Sequence, residues 1–254
     1  MMKFGAVALG AAALFFASCA ALELEDGETA PRAGEERQLD VETRLSQAPD
    51  SRILVIGDSV MWWNEESGRS VAQELASAIS RPVINLAVPG ARISHPSAAS
   101  KAQGLDIRSQ YVSRQWDWVV VEGGANDLGD ECGCNRCEAT LDKLIAADAK
   151  SGEWVQLVNR VRSGGASAVV VGYYALPSQG SADGLAQCND ALSELNKRLA
   201  LLADQDEKVR FVSMAKAMNP GEPGDYDPDR IHPSPRGSRA IARRIGSAIT
   251  ADNP

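Results

Sequence analysis

Only two histidines occur in the 254 residues, so any imidazole chemistry falls to His95 or His232. His232 closes Asp229-Arg230-Ile231-His232, which sets a carboxylate and an imidazole three positions apart on one local turn. A neutral imidazole takes a hydroxyl proton only when its other nitrogen is held in the right tautomer, and a nearby carboxylate does this while stabilising the imidazolium. His95, in Ser94-His95-Pro96, has no adjacent carboxylate and reads as a loop residue. A candidate hydroxyl is Ser59 in Gly57-Asp58-Ser59-Val60, where Gly57 permits a tight turn and the serine would open a helix whose N–H groups can face an anion. Two more segments offer donors to such an anion. Gly90, in Val88-Pro89-Gly90-Ala91, can bring a bare N–H close to a ligand, and Asn126, in Gly123-Gly124-Ala125-Asn126-Asp127, carries an amide able to serve a developing oxyanion. Each segment alone has a plainer reading as a helix cap, a Pro-Gly turn, a capping asparagine or a surface turn.

The elements that must position these groups are legible as short apolar runs. Ile53 to Ile56, Val83 to Val88, Trp118 to Val121, Val169 to Val171 and Val209 to Val212 suit strands covered on both faces. Helical periodicity fills the intervals at Val71 to Ile79, Trp154 to Val161 and Leu192 to Leu202. Strand and helix in alternation imply a parallel, doubly wound α/β sheet, and in such sheets ligands sit beyond the carboxyl ends of the strands. A last helix is expected after His232-Pro233-Ser234-Pro235, running through Ile241 and Ile245 toward Ile249. Trp62 and Trp63 follow the serine closely enough for one of them to line a cleft, or for both to pack the first helix.

Taken in order, Gly-Asp-Ser, a glycine, Gly-x-Asn-Asp and Asp-x-x-His resemble the ordered blocks of the SGNH (GDSL-type) hydrolase superfamily over roughly residues 51 to 250. The resemblance implies a three-layer α/β/α sandwich on a five-stranded parallel, flavodoxin-like sheet. It implies a serine esterase in which Ser59 is the nucleophile, His232 the base and then the acid, and Asp229 its orienter. The Ser59 N–H, the Gly90 N–H and the Asn126 amide would form the oxyanion hole, and no metal or organic cofactor is required. Val60 stands where many members carry leucine, a change between apolar residues that bears on packing rather than chemistry. The expected substrate is a small ester or acylated glycan. A lipase or thioesterase acting on longer chains, and a non-catalytic glycan-binding lipoprotein, are the competing readings.

Composition limits the partners. A hydrophobic content of 44% is ample for a core, and a net charge of −8 without a basic cluster argues against nucleic acid. Met1-Met2-Lys3 followed by apolar residues from Phe4 to Ala17 reads as a signal peptide over 1–18, too short for a bilayer span of about 20 residues. Phe16-Ala17-Ser18-Cys19 resembles a lipoprotein lipobox, with Phe16 departing from the usual aliphatic residue. Cys19 would then be lipidated and supply the membrane contact; the alternatives are an ordinary signal peptide cleaved nearby or a segment retained as an anchor, and all three place the protein outside the cytoplasm, in the envelope of a bacterial cell. Residues 19–50, acidic and poor in apolar side chains, read as a flexible tether to a single domain at 51–254. Setting Cys19 aside leaves Cys132, Cys134, Cys137 and Cys188, an even number suited to two disulfides in an oxidising compartment. A metal site of the four is the alternative, and the pairing is open.

Overall fold

The computed structural model describes residues 33–178 and 186–251. Five strands form one sheet: β1 (Ile53–Ile56), β2 (Ile84–Asn85), β3 (Trp118–Glu122), β4 (Ser167–Gly172) and β5 (Val209–Ser213). Their spatial order is β2-β1-β3-β4-β5 and every pairing is parallel, the order of a flavodoxin-like doubly wound sheet. All four residues of β1 are fully buried, so both faces of the sheet are covered, as its unbroken apolar run requires.

The α-helices among the described residues are α1 (Ala33–Gln47), α2 (Ser59–Trp62), α3 (Val71–Ile79), α4 (Ala98–Ala102), α5 (Ile107–Gln110), α6 (Ala125–Cys132), α7 (Glu138–Leu144), α8 (Glu153–Ser163), α9 (Asn189–Ala203) and α10 (Pro235–Thr250). Helix α3 starts on a capping box in which Ser70 and Gln73 satisfy each other's backbone N–H groups. Helix α10 starts on Ser234 with Pro235 in its first turn, and buries Ile241, Ile245 and Ile249 at a spacing of four. It lies against α3 so closely that a Cβ on Gly246 would stand 3.0 Å from Ile79. Around Gly124, by contrast, the side chains of Leu144, Trp154 and Leu195 converge from α7, α8 and α9.

Two expectations change. The acidic stretch read as a tether to residue 50 is helical from Ala33 to Gln47, and residues 19–32 lie outside the described residues. Helix α1 docks through guanidinium groups. Arg37 donates to the Leu86 carbonyl at 2.6 Å, and Arg44 donates to the Asn85 carbonyl at 3.2 Å and to Glu65 at 2.6 Å. Half-buried Val41 and Leu45 add apolar contact. The helix thereby covers the edge strand β2, and the folded unit begins before residue 51. Strand β2 is itself shorter than the run from Val83 to Val88. Leu86 and Val88 still donate to Val55 and Gly57 of the neighbouring chain segment, but Asn85 turns its side chain onto the Ala87 N–H as the chain approaches the Pro89-Gly90 turn.

The four cysteines form two disulfides, Cys132–Cys137 and Cys134–Cys188, with Cα separations of 5.3 and 4.7 Å. The first joins the end of α6 to the start of α7, and the second ties the segment between them to the start of α9. The signal-like segment and Cys19 lie outside the described residues. Among the described residues no helix is long and apolar enough to cross a membrane.

Candidate active site

The site sits at the carboxyl ends of the strands, where each candidate segment follows one of them. Beyond β1, the chain turns at Gly57 so tightly that a Cβ there would meet the Glu122 carboxylate at 2.9 Å and the Glu122 carbonyl at 3.1 Å. Asp58 then caps α2, its carboxylate accepting the Val60 N–H at 2.9 Å, and Ser59 follows as the first helical residue. Ser59 is partly exposed, whereas Gly57, Asp58 and Val60 are buried.

The imidazole comes from the loop before α10. His232 Nε2 lies 2.8 Å from Ser59 Oγ, and its Nδ1 lies 2.5 Å from Asp229 Oδ2. A carboxylate facing Nδ1 fixes the proton there and leaves Nε2 to accept from the serine. The other Asp229 oxygen accepts the N–H groups of Ile231 and His232, at 2.9 and 3.0 Å, so the turn orients its own carboxylate. Burial pushes the Asp229 carboxyl up, but these hydrogen bonds, with that from the imidazole, outweigh it and hold the group below its ordinary value. Arg230 adopts φ +60° within this turn. Tyr174 anchors the loop by donating to the Ile231 carbonyl at 2.7 Å, and Asn64 donates to the Pro233 carbonyl at 2.9 Å.

Trp63 stacks face to face on His232, with ring centroids 3.7 Å apart and planes 4° from parallel. Neither Trp63 nor Trp62 is among the residues lining the cavity at Ser59, so of the two readings of this pair the cleft-lining one does not hold. Trp62 packs toward the core, and Trp63 stacks on the His232 ring.

The donor groups are arranged as follows. The N–H groups of Ser59 and Gly90 donate no hydrogen bond among the described residues, which leaves both free for an anion. Gly90 has φ +75° with open space where a side chain would be, and it does not line the cavity. Asn126 does line it, together with Ser59 and His232. Its amide donates one hydrogen to the Ala91 carbonyl at 2.9 Å, while the other faces Asp58 Oδ2 at a longer 3.4 Å. The loops after β2 and β3 are joined again at Asp127, whose buried carboxylate accepts the N–H groups of Ile93 and Ser94 at 2.9 and 3.3 Å. Burial raises the Asp127 carboxyl to about 6 against the pull of those two donors. His95 takes no part; its Nε2 faces Ser100 Oγ at 3.3 Å.

Three residues went unseen in the sequence. Tyr173, one position beyond β4, donates to Asp58 Oδ2 at 2.7 Å and accepts the Ala125 N–H at 3.1 Å. Glu122, fully buried at the end of β3, accepts the Asp58 N–H at 3.2 Å. Burial raises both the Glu122 and Asp58 carboxyls, and Glu122, facing the Asp58 charge, is raised well above the carboxylate range. Tyr174 is the third. A glutamate ending the run Val119-Val120-Val121 was a signal for the buried acid, whereas the tyrosines carried none.

Ser59 and His232 open onto a cavity of about 190 Å³ whose wall is largely apolar, with Val60, Leu176, Leu192, Ile231 and the Cys134–Cys188 bridge contributing. Among the described residues no cluster of three His, Cys, Asp or Glu is placed to hold a metal ion, and the insert cysteines are disulfide-bonded instead.

No curated protein matches the chain. Solved structures of similar fold include a Streptococcus pneumoniae protein assigned as a platelet activating factor, 16% identical with a TM-score of 0.61, covering 86% of this chain and 92% of that one. Est24, a carbohydrate acetylesterase from Sinorhizobium meliloti, is 16% identical with a TM-score of 0.53, covering 80% and 99%. An aryl esterase from M. smegmatis is 12% identical with a TM-score of 0.56, covering 79% and 99%. At these identities the likeness is one of fold. Residues 55–240 match the model of the GDSL-like Lipase/Acylhydrolase family, and the chain belongs to that family of SGNH-type ester hydrolases.

Proposed function

We propose that the protein cleaves short-chain carboxylic esters, acetyl groups on a glycan foremost, through an acyl-enzyme at Ser59. The observation that carries this reading is the line from Asp229 through His232 to Ser59, with separations of 2.5 and 2.8 Å, ending at the mouth of a small apolar cavity. A cavity of about 190 Å³ is below the roughly 300–1,000 Å³ of pockets for drug-sized ligands, and favours an acetyl or similarly short acyl group over a long chain. The fold likeness to a carbohydrate acetylesterase supports the glycan.

In this route Ser59 Oγ attacks the ester carbonyl while its proton passes to His232 Nε2. The electron pair displaced onto the carbonyl oxygen meets the Ser59 and Gly90 N–H groups and the Asn126 amide. His232 then returns the proton to the departing alcohol oxygen as the C–O bond breaks. Water, deprotonated by the same imidazole, attacks the acyl-enzyme, and the proton goes back to Ser59 as the acid leaves. Asp229 stabilises the imidazolium at both stages, and Trp63 presents its π face to that cation.

The reading includes an extracytoplasmic location with Cys19 as lipid anchor. Two disulfides suit an oxidising compartment, and the charged and then apolar residues from Met1 to Ala17 suit export. Cell fractionation of a Cys19→Ala variant tests the anchor: release from the membrane fraction supports it, and retention argues against it.

The activity test is hydrolysis of a chromogenic ester series, acetate through long chains, by the purified full chain with Ser59→Ala as control. Turnover that falls with acyl length and vanishes in the variant is expected. A preference for long chains would overturn the acetyl assignment, and wild-type rates no higher than the control would overturn the serine route.

A further inference from the structure

Directly beneath the nucleophile turn lies an acid that the route above does not use. Glu122 is fully buried at the carboxyl end of β3, against the backbone of Gly57 and Asp58. One carboxyl oxygen accepts the Asp58 N–H at 3.2 Å, and the other has no hydrogen-bond partner. From Asp58 the array continues outward. Its carboxylate accepts from the Val60 N–H and the Tyr173 hydroxyl, and it faces the Asn126 amide; Tyr173 in turn accepts the Ala125 N–H. One connected set of hydrogen bonds therefore touches the turn that carries Ser59 and the turn that carries Asn126.

We propose that Glu122 is a positioning residue of the esterase site, holding the Ser59 turn and the Asn126 amide in mutual register through Asp58 and Tyr173. The inference rests on the ester-hydrolase reading of Ser59 and goes beyond it.

Two neighbouring carboxyls, both buried, do not both ionise in a low-dielectric pocket, because neither charge is balanced by a buried cation. Asp58 is the better anion, since it accepts from Val60 and Tyr173, whereas Glu122 accepts a single N–H. The proton resides on Glu122, raised by its burial and by the Asp58 charge, and the neutral carboxyl still accepts the Asp58 N–H. In that form it is a neutral clamp with one donor and one acceptor. A glutamine supplies the same pair of groups at nearly the same length; a methionine fills the space and supplies neither.

This distinction gives the test. Wild type, Ser59→Ala, Glu122→Gln and Glu122→Met are compared as full-length proteins for kcat and KM on a chromogenic acetate, with thermal unfolding to establish that each folds. A small misplacement of reacting groups costs about 10²-fold in rate. Glu122→Met is therefore expected to lose about 10²-fold in kcat with KM moved less than about threefold, and Glu122→Gln to recover most of that loss. If Glu122→Met does not fold, Glu122→Asp replaces it, because the shortened acid no longer reaches the Asp58 N–H, and the same fall in kcat is expected. A folded Glu122→Met whose unfolding temperature drops while kcat holds would overturn the proposal, since that is what mere core filling predicts. A glutamine variant as slow as the methionine variant would overturn the neutral clamp. Failure of the parent reading looks different: wild type would then be no faster than Ser59→Ala.

Discussion

Replacing Cys134 and Cys188 together by alanine removes a bridge between residues 54 apart in sequence, whereas replacing Cys132 and Cys137 removes one spanning only 5. In the chain-entropy model a cross-link stabilises by restricting the unfolded chain in proportion to the logarithm of the closed loop, which gives about 4 kcal/mol for the long bridge and about 2 for the short one. Cys188 and Cys137 are similarly buried, so packing losses on truncation are comparable and the difference of about 2 kcal/mol should survive them. For a unit of this size each kcal/mol moves the unfolding temperature by roughly 2–4 °C, so the pairs are predicted to fall by about 8–16 °C and about 4–8 °C. Differential scanning calorimetry of the two double variants under non-reducing conditions measures both. The long bridge also contributes Cys188 to the cavity wall, so its loss should alter acyl-length preference, which the short bridge leaves unchanged. Equal losses, or a larger loss from the short bridge, would refute the loop-entropy reasoning and shift the explanation to local strain or to structure in the unfolded chain.

Asn126→Ala should lower kcat by about 10²- to 10³-fold with a small change in KM, the usual cost of removing one oxyanion donor, and steady-state kinetics on an acetate ester reads it. Trp63→Ala should lower kcat about three- to tenfold, the worth of a stacked aromatic pair of roughly 0.5–1.5 kcal/mol, with Trp63→Phe recovering part; equal rates in all three proteins would deny the stack a role. The Asp127 carboxyl, at about 6 in the fold, binds its proton more tightly there than in the unfolded chain. Its contribution to stability is therefore full below about pH 4 and lost as pH rises through about 6, a decline of about 3 kcal/mol. Urea unfolding from pH 4 to 7 should show that decline in wild type and its absence in Asp127→Asn, which also carries a constant penalty for the lost acceptor at Ser94; parallel curves would contradict the buried-acid account.

What the sequence revealed and what it withheld divide along a physical line. Ile53 to Ile56 announced itself because a strand buried on both faces must be apolar without interruption, and Val71 to Ile79 because a half-buried helix must repeat at its own period. Helix α1 obeys neither rule. It buries no residue completely and is held by Arg37 and Arg44 reaching to carbonyls of the edge segment, so its charged composition was mistaken for that of a solvated chain. The two disulfides were countable but not assignable, since four cysteines allow three pairings and three of these cysteines fall within six residues. Trp63 was visible as an aromatic close to Ser59, but whether it faces substrate, core or imidazole depends on where a loop 169 residues later returns.

The juxtaposition of Asp229, His232 and Ser59 was legible because its signals are local at both ends. Asp229 and His232 share one turn whose backbone orients the carboxylate, and Ser59 sits at a strand-to-helix corner that only glycine can enter, given the Glu122 atoms packed against Gly57. The supporting array is not local in that sense: Asp58, Glu122 and Tyr173 come from the ends of β1, β3 and β4, and parallel pairing alone brings them side by side. Residues that react must be of a few types and so leave a motif. Residues that hold them in place need only fit the space the sheet provides, and in this fold that space lies where three adjacent strands end together.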